Sequence, residues 1–398
     1  GLEKAKKRII EYLAVRKQVG GGKTLDILAT LCPEIIAALP FPKKMRWKDL
    51  DFAFGRPLRW LLALLGEEVV PFTVADLSSD RLTLGHRVMG TGPWEVARAD
   101  DYFAVVRDQG KVVLDATERR AQIMAQGEEL AQSVGGRPVW NESLLDEVQG
   151  LVEYPKPVLG NFDPSFLEVP RQVLLSSMEG HQKSFGVEGP DGKLLPHFLS
   201  TLNLEPKDLD LVRKGWQRVL KARLEDARFF WKTDLAARLE DWQAELDNVI
   251  FLAALGSMGD KARRIERLCG VLADTLDPDL KADAMRAGIL AKTDLVSEMV
   301  GEFDELQGVM GGIYATKAGE NESVSQAIAE QYLPAGVDSP TPSSLLGAVV
   351  SMADKADSLA GCFGLNMIPT GANDPYALRR GALGICRIIL DKKLRLNL

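Results

Sequence analysis

Three histidines, a glycine run ending in lysine and two adjacent arginines are the residues whose chemistry must be explained first. His86 lies in TLGHRVMG, His181 in MEGHQKSFG and His197 in LPHFLST. A metal site or a nucleophile triad sets histidine beside acids or thiols at ligand spacing, and the chain contains no His-x-x-x-His or Glu-x-x-His pair. His181, next to Gln182 and Lys183 in a polar, glycine-flanked segment, could hold phosphate or base or be structural; His86 and His197 read as structural. The run VGGGKTL at 19–25 matches the end of a phosphate-binding loop, but the first glycine of that pattern falls on Lys17 and the segment follows a charged helical stretch instead of a strand. It reads as a glycine linker.

Arg379 and Arg380 stand in GANDPYALRRGALGICRIIL, otherwise the pattern of a buried helix. Asp374 suits a helix cap and Pro375 the first helical position. Leu378, Ala382, Ile385 and Ile389 then form one apolar stripe, while Arg380 and Arg387 share another face. Two roles are open: pairing with acids such as Asp354 and Asp357 in SMADKADSLAG, or phosphate contact.

A second basic feature is VRKGWQRVLKARLEDARFFWK, residues 212–232, with seven basic against two acidic side chains. On a helix, Lys214, Arg218, Lys221, Arg228 and Lys232 form one stripe interrupted by Glu225, and Trp216, Leu220, Leu224, Ala227 and Trp231 form the opposite one. One face packs and the other is electropositive. The whole chain carries a net charge of -7, which argues against indiscriminate nucleic-acid binding and leaves room for this local surface.

These residues need a frame. The 398 residues suffice for two or three domains, and no apolar run reaches membrane-span length; RWLLALLGEEVV is cut by two glutamates. A soluble chain is expected. Cys32, Cys269, Cys362 and Cys386 are far apart without a CxxC pair, which fits a reducing cytoplasm better than a zinc ribbon or a disulfide framework. Up to about residue 205 short strands (EVVPFTVAD, RLTLGHRV, KVVLD, HFLSTLNL) alternate with helices such as ATERRAQIMAQGEELAQSVGG. Beyond it helical periodicity dominates, at 212–232, 235–256, 259–275, 280–300, 322–332, 342–360 and 375–392. The expected class is α+β: a mixed α/β domain over 1–205, a basic connecting helical segment over 206–245 and an all-α domain over 246–398.

In order, FPKKMRWKDLDFAFGRPLRWLLALLG, LTLGHRVMG, LVEYPKPVLGNFDPSFLEVP, MEGHQKSFGV, RVLKARLEDARFFWKTDL, AKTDLVSEMVGEFDELQGVMGGIYA and PTGANDPYALRRGALGICRIIL closely resemble the β subunit of bacterial heterotetrameric glycyl-tRNA synthetase. The resemblance runs from about residue 25 to 392. It implies a central fragment lacking the family's further N-terminal segment and its C-terminal anticodon-binding domain. It further implies tRNA(Gly) as a partner, together with an α subunit that activates glycine with ATP and Mg in a heterotetramer, and no cofactor in this chain. No catalytic residue for aminoacylation can be named: class II arginine motifs and the HIGH and KMSKS patterns are missing, and KKMRWKD is only superficially similar to the last. The RNA-binding residues expected are Lys183, Lys214, Arg218, Lys221, Arg228 and Lys232, with Arg379 and Arg380 either RNA-facing or structural.

The resemblance also relates the helical half to HD-type phosphohydrolase domains and the first half to the B3/B4-type domains of other synthetases. HD domains bind metal through a histidine, a His-Asp pair and a later Asp. Here Thr293-Asp294 matches the pair, Asp354 the later Asp, and the first histidine falls near Arg267; no histidine follows His197. Two carboxylates without imidazole imply a degenerate domain with no metal. A metal-dependent phosphohydrolase and an assembly scaffold without RNA contact are the rival readings.

Overall fold

The computed structural model describes residues 22–370 and 373–396, so Val19, Gly20 and Gly21 of the glycine run and Gly371 and Ala372 lie outside the described residues. The chain is α+β and divides into two compact units: residues 1–161 with 182–217, and residues 162–181 with 218–398. The boundary twice falls within or at the end of a helix.

The first unit is built on a four-stranded antiparallel sheet of β1 (Arg137–Pro138), β2 (Lys156–Asn161), β3 (Phe185–Glu188) and β4 (Leu194–Leu202), in the order β1-β3-β4-β2. Strand β2 is therefore an edge. Helix α1 (Ala116–Gln132) is capped by Asp115, whose carboxylate accepts from the Thr117 and Glu118 amides. With α2 (Glu142–Leu151) it buries Ile123, Leu145 and Val148 against Phe185, Val187 and Leu199 of the sheet. Gly160 of β2 has no side chain because Phe198 lies across it; a Cβ there would stand 2.3 Å from the ring. Upstream, residues 45–95 form only two- and three-stranded pieces of short strands. KVVLD, expected as a strand, joins no ladder: Arg119 donates to the Val113 and Leu114 carbonyls, and the Val113 amide is spent on Glu153.

The second unit is helical. Its elements include α3 (Arg171–Gln182), most of α4 (Leu209–Leu235), α5 (Met258–Leu276), α6 (Lys281–Leu290), α7 (Val309–Lys317), α8 (Glu322–Ala329), α9 (Leu345–Gly364) and α10 (Leu378–Asp391). Helix α5 starts with a reciprocal capping box between Ser257 and Asp260 and buries Ala262, Ile265, Cys269 and Ala273 at spacings of three and four. Helix α9 is buried along most of its first ten residues.

Two expected helices are broken. The span 235–256 contains the α-helix Leu239–Glu245 and a 3-10 turn at Leu246–Asn248, followed by a hairpin pairing Ile250–Leu252 with Gly256–Ser257, in which Gly256 takes a left-handed turn at φ +87. The span 280–300 stops at Leu290, since Thr293 to Ser297 spend their polar groups on local bonds: Thr293 Oγ1 donates to the Leu290 carbonyl and Ser297 Oγ accepts from Val300 to cap Glu298–Glu302. Asp234, buried at the end of α4, accepts from the Glu298 and Met299 amides and from the Tyr314 hydroxyl.

Helix α10 begins at Leu378, three residues after Pro375. Asp374 still does the capping, its two oxygens accepting from the Leu378 and Arg379 amides at 2.9 and 3.0 Å. Leu378, Ile385 and Ile388 are buried.

Candidate functional site

Helix α4 carries the basic stripe. Leu220, Leu224, Ala227 and Trp231 are buried, as its amphipathic pattern requires, and Trp231 stacks on Tyr314 at 5.6 Å. Lys214, Arg218 and Lys221 are exposed, and among the described residues none of them holds a hydrogen bond or ion pair. The first belongs to the first unit and the other two to the second. The lower stripe is spent differently. Arg228 pairs with Glu225, approaches Glu168 at 4.0 Å and lies 4.5 Å from the centre of the Phe166 ring; Lys232 pairs with Glu168 at 3.2 Å. Both cations fasten α4 to the Pro164–Glu168 turn. Lys183, left-handed at φ 51, pairs with Glu147 at 3.0 Å.

The paired arginines do not meet the two acids offered for them as examples. Asp354 and Asp357 bind neither of them. Arg379 and Arg380 are exposed, Arg379 reaching the Pro369 carbonyl, and Arg387 donates to the Gly336 and Ser339 carbonyls at 2.7 Å each. The acids are occupied by residues that the sequence reading passed over. Lys261 of α5 meets Asp354 Oδ1 at 2.9 Å and Asp357 Oδ2 at 3.1 Å, and Lys292 meets Asp354 Oδ2 at 3.0 Å with its ammonium 3.9 Å from the centre of the Tyr332 ring. Arg264 completes Asp357 at 2.5 Å. Burial by itself would raise the Asp354 pKa, but the two ammoniums outweigh it and hold the carboxyl well below the usual range. The available signal was a lysine inside an apolar run, Lys292 in GILAKTDLV, and another, Lys261, beside the buried stripe of α5.

Asp294 lies fully buried, its Oδ2 accepting from the Gly308 and Gly311 amides at 2.5 and 2.9 Å while Oδ1 has no hydrogen-bond partner among the described residues. Desolvation pushes its pKa up to about 6 against those two bonds. Arg267 points to solvent. These donors do not fit a divalent cation: both oxygens of Asp354 face lysine ammoniums, one oxygen of Asp294 is taken by amides, and among the described residues no three His, Cys, Asp or Glu side chains gather. Two ammoniums occupy the surroundings of Asp354.

The histidines separate cleanly. His86 is buried, accepting at Nδ1 from the Val88 and Met89 amides and donating from Nε2 to the Asn203 carbonyl. His181 is exposed, its ring 6.3 Å from that of Phe303. His197 lines a cleft of about 630 Å³ along β2. At the glycine run, Lys23 is the extended residue before the helix Thr24–Ala38 and makes no side-chain cap.

Comparison with known proteins places these observations. The family model described as "Glycyl-tRNA synthetase beta subunit" matches residues 1–398. The chain is 64% identical over 387 residues to the glycine--tRNA ligase beta subunit of Nitratidesulfovibrio vulgaris strain Miyazaki F, covering 97% of this chain and 55% of that protein. The protein of that name from Oleidesulfovibrio alaskensis is also 64% identical, over 97% of this chain and 56% of its own length. The one from Geobacter sulfurreducens is 45% identical over 98% of this chain and 56% of its own. The chain thus spans about half the length of the curated relatives it matches.

Proposed function

Because the chain belongs to the glycyl-tRNA synthetase β-subunit family, we propose that it is an RNA-contacting portion of a glycine–tRNA ligase. In this reading it serves the ATP-dependent attachment of glycine to tRNA(Gly), with glycine, ATP and Mg bound by a separate α subunit in a cytoplasmic heterotetramer. The observation that carries the reading is the exposed pair Arg218 and Lys221 on α4, which among the described residues holds no hydrogen bond or ion pair. Lys221 lowers the Asp163 pKa through its charge but forms no ion pair with it among the described residues; exposed cations that hold no ion pair can meet phosphates, and each such contact releases condensed counterions. Arg228, Lys232 and Lys183, tied to Glu168, Glu225 and Glu147, contribute less. Arg379 and Arg380 are candidates for further contact at the start of α10.

The helical unit is, in this reading, an HD-type scaffold in which Lys261 and Lys292 provide the positive charge an ion would supply. A phosphohydrolase would need a metal-bound water at Asp354, and both oxygens of that residue face ammoniums. The first unit is read as a B3/B4-type relative.

The test is the double change Arg218→Gln with Lys221→Gln in the assembled ligase. The slope of log affinity for tRNA against log salt should flatten by about 1.5 to 2, with stability changed by less than about 0.5 kcal/mol. An unchanged slope would sink the assignment and favour a scaffold that never touches RNA. The chain without its α subunit should show no glycine-dependent exchange between ATP and pyrophosphate.

A further inference from the structure

We propose that the cleft along β2 in the first unit receives one unpaired nucleobase with its ribose. The inference rests on the RNA-contacting reading above but concerns residues that reading does not use.

All six residues of the edge strand β2 line this cleft, together with Gln126, Glu129 and Leu130 of α1 and Leu209 and Arg213 of α4. Its volume of about 630 Å³ lies within the range of small-ligand sites. The wall is mixed, with apolar Pro157, Leu159, Leu130 and Leu209 between polar groups. A flat heterocycle needs such apolar surface for its faces and polar groups for its edge.

The charges select against a bare anion. Lys156 is already paired with Glu205 at 3.1 Å, and Arg213 with Asp210 at 2.6 Å while also donating to the Leu159 carbonyl at 3.0 Å. The uncommitted groups are instead hydrogen-bonding ones. Among the described residues, the Gln126 amide and the Glu129 carboxylate hold no hydrogen bond or ion pair, and Nδ1 of His197 is shielded from solvent without a partner. His197 stands opposite Asn161 in the β2–β4 register. An amide offering a donor and an acceptor side by side and a carboxylate able to accept from an exocyclic amine or a ribose hydroxyl form a set that reads a base edge, with the His197 ring in the wall beside them. Strand addition of an extended peptide at the same edge is disfavoured: Pro157 lacks an amide to offer, and the Leu159 carbonyl is already taken by Arg213.

The experiment is equilibrium dialysis of the 398-residue chain, free of any α subunit, against AMP, GMP, CMP and UMP in turn. The expected result is saturable binding with one base preferred by at least about tenfold, and a loss of at least about tenfold in Gln126→Leu with Glu129→Gln. Arg218→Gln with Lys221→Gln should leave nucleotide binding unchanged, so that failure of the α4 assignment and failure of this one are read separately. Proton NMR should show the His197 imidazole shifting as the preferred nucleotide is added. Three results overturn the proposal: no binding of any of the four nucleotides, equal binding by the Gln126/Glu129 variant, or binding of an extended tripeptide such as Val-Thr-Val in their place.

Discussion

In the second unit Lys261, Lys292, Asp354 and Asp357 are each less than a tenth exposed and each meets opposite charge within 3.1 Å. In the first unit Gln126 and Glu129 border an open cleft and meet nothing among the described residues. Both clusters are polar, and their energetics differ in kind. A charge removed from water must be matched by geometry, so the buried cluster is spent on holding its own unit together. A polar group left at the edge of a cleft keeps its hydrogen-bonding capacity for a ligand. Strength of interaction within a fold and availability for function are therefore close to opposites in this molecule.

The comparison breaks most easily at Lys292. Lys292→Met leaves half of the Asp354 carboxylate facing nothing, and unfolding in denaturant should show a loss of about 3–5 kcal/mol. Adding Asp354→Leu removes the stranded charge and should recover more than half of that loss. A single change costing under about 1 kcal/mol would mean that water reaches the cluster.

Asp294 sharpens the comparison through pH. Its carboxyl titrates at about 6 in the folded chain, above the ordinary value of about 4. Between those values the folded state holds the proton that the unfolded state has released, so stability falls as pH rises from about 4 to about 6. Asp294→Asn abolishes that component. The variant's stability relative to the parent should therefore rise by about 2–3 kcal/mol from pH 4 to pH 7. Asp354 works in the opposite sense: its lowered pKa supplies stability present above about pH 4 and lost as acid protonates it. A flat difference between Asp294→Asn and the parent would refute the burial argument.

Smaller effects belong to the first unit. Gly160→Ala puts a methyl group against the buried Phe198 ring and should cost about 1–3 kcal/mol in thermal unfolding. Gln126→Leu with Glu129→Gln should change stability by less than about 0.5 kcal/mol while removing nucleotide binding. If that pair proved as costly as Lys292→Met, the cleft would be a structural network and the contrast between the two units would fail.

Much of the candidate surface was legible from periodicity. The apolar face of α4 was visible in Leu220, Leu224, Ala227 and Trp231 because a helix writes its buried face into the chain every three to four residues. The same rule put Arg228 and Lys232 on the electropositive stripe, and it could not foresee Glu168, a residue sixty positions earlier that claims them both. The Asp374 cap was legible for a similar local reason, although the helix it caps starts later than its proline suggested. Helix breaks at 245 and 290 were not, since they depend on where Asp234, Gly256 and Ser297 find partners.

The sequence by itself determined the α+β class, the amphipathic helix α4 and the family to which the chain belongs, because these rest on local spacing and on long ordered motifs. It also determined that the helical half has no histidine with which to hold a metal. Only the tertiary structure decided which groups meet the Asp354 and Asp357 carboxylates. Lys261 lies 93 residues from Asp354 and Lys292 lies 62 residues from it, and no periodic signal spans such distances. Likewise the cleft along β2 exists because strand order left that strand at an edge beside α1, an outcome of packing between segments and not of any one of them. Residue type fixes what a side chain can do; the fold fixes which partners it meets, and so whether that capacity is spent or kept.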